Sequence, residues 1–373
     1  MRKHSMDYFI LITTLVLVAF GLIMVFSATY YSASIKQDDG FYYLKRQLIG
    51  AMLGLGLMIA ASFFPYQKLQ KLRIPLIIIA FILLLAVLVP GAHRINLNGS
   101  SRWLNLGMFS LQPSEVAKLA LIIFISSTLA ANQKRVGYFL NGILGPALIP
   151  LIFCGLLLLQ PNFSAIVCIG ILTVVMILVG GANGKMLALL CGGGVAIGFG
   201  VMMSSSYRAN RVNSFMNPWD YSDTSGYQVM QSLYAIGSGG FFGRGLGNSR
   251  QKLLYLPYGE SDFIFPIVCE ELGFLGALAL ILLFAFLIYR IIRVAINAKD
   301  MFGCLVATGV ATIICIQVII NIAVVTSSIP PTGVSMPFIS YGSSALVIFM
   351  LMIGVVLNIS KFTQISNEKE RSA

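Results

Sequence analysis

Charge is the first thing this chain lacks. Of its 373 residues only 10% are Asp, Glu, Lys or Arg, against roughly a quarter in an ordinary soluble chain. Acids are the scarcer sign, with 13 Asp and Glu facing 25 Lys and Arg, a net charge of +12. Histidine is nearly absent: His4 falls in a tail and His93 in a loop, which excludes chemistry built on a histidine cluster. The six cysteines all lie in or beside apolar runs and form no C-x-x-C. Neither a disulfide framework nor a zinc site follows; they read as small packed hydrophobes.

What is abundant is apolar surface, 58% of residues with mean hydropathy +0.88. Successive apolar runs have the length, about 17–25 residues, that a bilayer core requires. Only helices satisfy their own backbone in such runs, so the expected fold is an all-α polytopic membrane protein. Ten spans are predicted at 8–28, 46–64, 73–89, 113–131, 143–159, 163–180, 185–203, 263–289, 301–320 and 343–360. The first apolar run exceeds the usual 7–15 residues of a secretory signal and reads as an uncleaved helix. Fourteen Lys and Arg fall beside the joints on the side of both termini, and ten on the other side. The positive-inside rule then places both termini in the cytoplasm. The chain reads as one membrane domain, 1–373, with a cytoplasmic tail from 361.

One joint breaks the pattern. Residues 204–262 mix aromatics, arginines and short apolar stretches such as 229–237, and long loops of this kind are usually functional. They predict a folded outer cap, a large re-entrant loop between the seventh and eighth spans. Its basic residues Arg208, Arg211, Arg244, Arg250 and Lys252 would draw an anionic ligand such as a phosphate or pyrophosphate. The run GSGGFFGRGLGNS (237–249) has six glycines but no G-K-[ST] ending and no preceding strand. Tight re-entrant backbone explains it better than a nucleotide loop.

The few acids can be weighed singly. Asp7, Asp300, Glu368 and Glu370 flank spans or lie in a tail and read as solvated. Asp262 directly precedes the eighth span, where Ser261 or Asp262 could cap the helix or Asp262 could take a proton from an incoming hydroxyl. Glu270 and Glu271 lie about 12–14 Å deeper along that helix, where an acid needs a cavity or a partner. Glu115 and Lys118, three apart behind Pro113, share one helix face, which suits mutual neutralisation or the wall of a polar cavity.

Several runs together resemble the shape, elongation, division and sporulation (SEDS) family of peptidoglycan polymerases, the FtsW/RodA/SpoVE proteins. They are SRWLNLG with QPSEVAK, YRANRVNSFMNPWD, GYQVMQSLYAIGSGGFFGRGLGNSRQKLLYLP, SDFIF with EELG, and NIAVVTSSIPPTGVSMPFISYG. The similarity covers Tyr8 to about Ser360, and the third and last runs look like the division and sporulation branch. The resemblance implies a multi-pass glycosyltransferase that polymerises lipid II on the outer face of the bacterial cytoplasmic membrane, with the division septum as its place of work. It puts the essential aspartate on Asp262, the charged cavity on Arg102, Glu115 and Lys118, and the cap's R-x-x-R on Arg208 and Arg211; Arg244 and Lys252 join them as candidate substrate-binding residues. Three motifs depart from the family: Gln160-Pro161-Asn162 for Q-P-D, LPYGESD for L-P-E-x-H-T-D, and SYGSSA for S-Y-G-G-S-S.

The reaction so implied is attack by a sugar hydroxyl on the anomeric carbon of a polyprenyl-pyrophosphate donor, with Asp262 as general base. No resident metal is expected; a divalent cation, Mg²⁺ or Mn²⁺, would be shared with the substrate pyrophosphate. The implied partners are lipid II, a single-span class B penicillin-binding transpeptidase and other division or sporulation membrane proteins, with no nucleic acid. Two rival classes remain open at this point. A transporter of lipid-linked precursor would suit ten spans, although no repeat relates residues 1–180 to 181–373. A non-catalytic division scaffold is the other.

Overall fold

The computed structural model describes residues 5–89, 94–97, 100–105, 110–188, 192, 194, 215, 218–221 and 226–363. Ten helices organise it: α1 (Tyr8–Lys36), α2 (Tyr42–Phe63), α3 (Arg73–Leu88), α4 (Pro113–Ala131), α5 (Gly145–Leu159), α6 (Phe163–Val179), α7 (Tyr227–Gly239), α8 (Ile264–Ile296), α9 (Met301–Val325) and α10 (Ser343–Ser360). Nine of the ten predicted spans correspond to these helices, and the fourth and tenth share their limits with α4 and α10. The seventh, 185–203, lies largely outside the described residues, as do Arg208 and Arg211. Among the described residues eight helical segments are long and apolar enough to cross a membrane, and α6 is a shorter apolar helix.

The bundle has an inside and an outside. Helices α4, α9 and α10 are mostly buried, whereas α2 and α3 turn large apolar side chains such as Met52, Ile74 and Ile82 outward, as a surface solvated by lipid must. Close approach of α2 to α10 depends on small residues: Gly50 faces Ser343 and Gly354 faces the Met58 backbone, with no room for a Cβ. In lipid, such close packing rather than hydrophobic burial drives helix association.

The joints assigned to the cytoplasm meet at one end. Asp7 caps α1 through Phe9 N and Ile10 N and pairs with Arg290 near the end of α8 at 2.6 Å. Its backbone N–H donates to Ser360 Oγ at 3.0 Å, and Tyr66 donates to Asp300 at 2.5 Å. The reading of Asp7 and Asp300 as solvated acids is therefore corrected: each is engaged. Partners that close this end lie more than 200 residues away in sequence, beyond the reach of local pattern.

The fold is the helical membrane bundle expected, with one small addition at the opposite end. Residues between α3 and α4 form a three-stranded antiparallel sheet, β1 (Arg94–Leu97), β2 (Ser100–Asn105) and β3 (Ser110–Leu111). Backbone outside lipid must still pair its polar groups, and short strands do so without a helix. Ile95 pairs with Trp103 but Asn96 pairs with Ser101, so Arg102 is the extra residue of a bulge. Bulges re-aim a side chain beside functional sites.

Helix α8 is broken. Gly273 has φ +67 inside it, and into the break docks the glycine-rich loop that follows α7. Arg244 N donates to Glu270 O (2.9 Å), Gly245 N to Glu271 O (3.0 Å) and Phe274 N to Gly240 O (2.9 Å). A Cβ on Gly239, Gly243 or Gly273 would strike backbone across this contact. These glycines permit tight re-entrant backbone, as expected. Gly273→Ala should therefore lose roughly 1–2 kcal/mol to the left-handed conformation and a further roughly 1–3 kcal/mol to overpacking. Gly155→Ala, at an open helical position, should be neutral or better. The check is the fraction recovered monodisperse from detergent and its melting temperature; a Gly273→Ala protein as stable as wild type would contradict the docking.

Candidate active site

Asp262 stands where the outer loop enters α8, half-buried. Neither it nor Ser261 caps the helix: the N-cap position is Phe263, with no side-chain hydrogen bond. The capping alternative is thereby corrected, because the chain reaches α8 one residue later than the apolar run suggested. The backbone around Asp262 is held by groups distant in sequence. One buried amide, Asn321 Nδ2 of α9, donates to both Asp262 O (2.8 Å) and Val334 O (2.7 Å). Ser340 Oγ donates to Ser261 O at 2.6 Å, and Tyr341 N to Glu260 O at 2.8 Å. The loop between α9 and α10 thus straps residues 260–262 in place.

Arg102 arrives from the bulge of β2. Its Nη2 donates to Pro161 O at 2.7 Å, so the joint between α5 and α6 steadies the guanidinium. Gly333, at φ +71, lies between the two charges: a Cβ there would stand 3.0 Å from Asp262 Oδ2 and 4.0 Å from Arg102 Nη1. Removal from water pushes the Asp262 carboxyl up to about 6; Arg102 works against the rise and Glu260 adds to it. A carboxylate so tuned accepts a proton far better than an ordinary one and is still ionised near neutrality.

Glu115 and Lys118 meet as expected. Lys118 Nζ lies 2.6 Å from Glu115 Oε1, with both side chains at most 4% exposed. They also line a polar cavity of about 20 Å³ with Gln112, Asn162, Gln317 and Gly333, space for about one water molecule. Both readings of the pair hold together. Gly333 is common to this cavity and to the Asp262–Arg102 cluster, so the two charged centres share a wall. Of the departures from family pattern, Asn162 accepts from Ala165 N at the start of α6, and Tyr258 holds φ +56 in the turn before Asp262.

Arg244 and Lys252 are placed elsewhere, against Glu270 and Glu271 of α8. Arg244 Nη1 lies 3.2 Å from Glu270, and Lys252 Nζ 2.9 Å from Glu271. Glu270 also accepts from Ser249 Oγ (2.5 Å) and from the N–H groups of Arg250 and Gln251. Glu271 accepts from Ser27 Oγ of α1 at 2.7 Å. Of the basic candidates, then, Arg102 is brought to Asp262, while Arg244 and Lys252 anchor the cap. Asn321, Ser340 and Gly333 were not singled out by sequence, although all three lie in the matched run 321–342. Among the described residues no three His, Cys, Asp or Glu could hold a metal ion.

A bundle of membrane helices that carries a strapped carboxylate and a bulge-borne arginine on one face defines a class, and comparison with known proteins defines it further. The chain belongs to the FtsW/RodA/SpoVE family of cell cycle proteins, which it matches over residues 7–365. It is similar to stage V sporulation protein E of Bacillus subtilis (strain 168), with 43% identity over 97% of this chain and 99% of that one. It is 41% identical to a Coxiella burnetii protein named "Probable peptidoglycan glycosyltransferase FtsW", covering 96% and 97% of the two chains. Its fold is similar to the rod shape determining protein RodA of Thermus thermophilus, with TM-score 0.70, 26% identity and coverage of 96% and 98%. It also resembles a chain from a peptidoglycan synthase complex that coordinates polymerization and crosslinking, with TM-score 0.76, 25% identity and coverage of 95% and 98%.

The buried pair yields a measurable expectation. Truncating one partner strands the other charge, at about 3–5 kcal/mol. Glu115→Ala or Lys118→Ala should each lower the yield of folded protein more than the double variant does, a non-additivity that a double-mutant cycle reads directly. A double variant that loses as much as the two singles combined would show that the charges do not answer one another.

Proposed function

We propose that this protein is a peptidoglycan glycosyltransferase that polymerises lipid II at the outer face of the cytoplasmic membrane, in division or sporulation. The observation that carries the reading is Asp262, a strapped carboxylate beside Arg102, with its pKa pushed up to about 6 and no structural cap to serve. In the reaction the acceptor sugar's 4-hydroxyl gives its proton to Asp262 as its oxygen bonds to the donor's anomeric carbon. The bond from that carbon to the pyrophosphate breaks, and the polyprenyl pyrophosphate leaves with the electron pair. One displacement inverts the centre and turns an α-linked donor into a β-linkage. Arg102, held by Pro161 O, would steady negative charge developing on the phosphates. Arg208 and Arg211 of the cap belong to the same proposal as phosphate ligands.

The described residues do not fit a protein-only metal centre. A divalent cation would enter only with the pyrophosphate oxygens, and no step above requires it. A single-span class B penicillin-binding transpeptidase is the proposed partner. The orientation is part of the reading as well: both termini face the cytoplasm, and the Asp262 end faces outward.

Asp262→Asn tests the assignment. The amide keeps the shape and capping strength of the acid but cannot take the proton, so polymerisation should fall at least about a hundredfold while expression and insertion are unchanged. Asp39→Asn, at an exposed turn where the acid pairs with Lys45 and accepts from Phe41 N, should be nearly silent in polymerisation. Polymer is measured with the transpeptidase present, and in right-side-out vesicles given a short-chain lipid II analogue from outside only. Wild-type polymer yield from Asp262→Asn would overturn the general base. No polymer from outside substrate would overturn the orientation.

A further inference from the structure

A second cavity, of about 410 Å³, opens between α7 and the glycine loop, with Glu270 at its base. The chemistry above does not use it. About two turns of α8, roughly 9 Å of rise from Ile264 to Glu270, separate it from Asp262. One wall is apolar, formed by Leu233 and Tyr234 of α7, and Tyr234 is stacked on Trp219 at 6.1 Å. The facing wall is basic. Arg244 spends Nε on Ser238 O and Nη1 on Glu270, and its Nη2 has no partner among the described residues. Arg250 is fixed by its own backbone N–H, which donates to Glu270 at 3.0 Å, while its guanidinium is exposed and likewise uncommitted among the described residues.

Glu270 does not cancel both cations. It is buried and already accepts from Arg244, Ser249 and two backbone N–H groups, so its role is to aim Arg244 and anchor Arg250. Among the described residues the pocket then carries a net charge of +1 from Arg244, Arg250 and Glu270, with guanidinium donors on one side and an apolar, aromatic wall on the other. In the glycine loop that supplies Arg244, Phe241 and Phe242 are 66% and 81% exposed, which suits contact with acyl chains rather than water. Guanidinium donors match phosphate geometry, and the apolar wall asks for a hydrocarbon tail next to that phosphate.

We propose that this cavity binds the phosphate of an anionic lipid in the outer leaflet, gripped by Arg244 and Arg250, as a site separate from Asp262. Two lipids carry that chemistry: the polyprenyl pyrophosphate carrier and an ordinary anionic glycerophospholipid. Assignment to the carrier rests on the glycosyltransferase reading; the site itself does not.

The full chain, purified in detergent with neutral phosphatidylcholine, is titrated in one arm with undecaprenyl pyrophosphate and in the other with dioleoyl phosphatidylglycerol. Native mass spectrometry counts the lipid retained. Arg250→Gln should weaken binding at least about tenfold, the loss expected for one charge-assisted contact, with an unchanged melting temperature because its backbone anchor to Glu270 persists. Arg250→Lys should retain most of the affinity. A loss confined to the pyrophosphate arm supports a carrier site, and equal losses in both arms support a general anionic-lipid site. Unchanged binding of both lipids by Arg250→Gln overturns the proposal. Asp262→Asn should bind lipid like wild type; if it is also fully active, the mechanism fails while this site stands.

Discussion

Two adjacent carboxylates, Glu270 and Glu271, are buried at 1% and 0% exposure in a helix that otherwise reads as a plain membrane span. An acid at membrane depth costs about 2.5–3.5 kcal/mol on insertion scales, and each is answered by groups from the loop before the helix. Arg244, Ser249, Lys252 and the N–H groups of Arg250 and Gln251 come down to meet them. The same contact demands glycine at 239, 243 and 273, where a side chain would collide with backbone. Ser27 brings α1 into the network. The loop that follows α7 is therefore anchored by buried ion pairs and hydrogen bonds to α8, and it starts the path of the chain toward Asp262.

A second constraint acts at Asp262. Its backbone is fixed by Asn321 and its neighbours by Ser340 and Tyr341, so the carboxylate is presented by rigid partners from α9 and the following loop. Preorganisation of this kind is what allows a charged group to act without reorganising during reaction. The glycine at 333 completes the arrangement: at φ +71 another residue is strained, and its Cβ, 3.0 Å from Asp262 Oδ2, would press on the carboxylate. Because Gly333 also walls the cavity of Glu115 and Lys118, a change in that pair would be felt across one residue's width.

Much of this was legible in the residues. Lipid sets a minimum length for every helix, which is why apolar runs placed nine spans and why α4 and α10 have the predicted limits. Glu115 and Lys118 were readable because both lie on one helix and periodicity fixes their spacing. What escaped was non-local. The ligands of Glu270 and Glu271 come from about 20 residues upstream and from α1, and no pattern in α8 names them. The sheet carrying Arg102 is too short to show alternation, and its bulge depends on a register visible only once the strands pair. The alternative cap at Ser261 or Asp262 failed because the first turn of α8 begins at Ile264, a shift smaller than sequence reasoning resolves.

On the proposed mechanism Asp262 works as a base whose proton affinity is raised by removal from water. A base acts only when deprotonated, so with a pKa pushed up to about 6 the rate should climb as pH rises and level off above that value. The direct measurement is kcat/KM for lipid II polymerisation between pH 4.5 and 8, which reports the free enzyme's essential groups. Base catalysis by Asp262 gives a nearly tenfold rise per pH unit below about 6, a plateau above, and loss of that inflection in Asp262→Asn. A rate that is flat across the range, or an inflection that survives in the Asn variant, would contradict it.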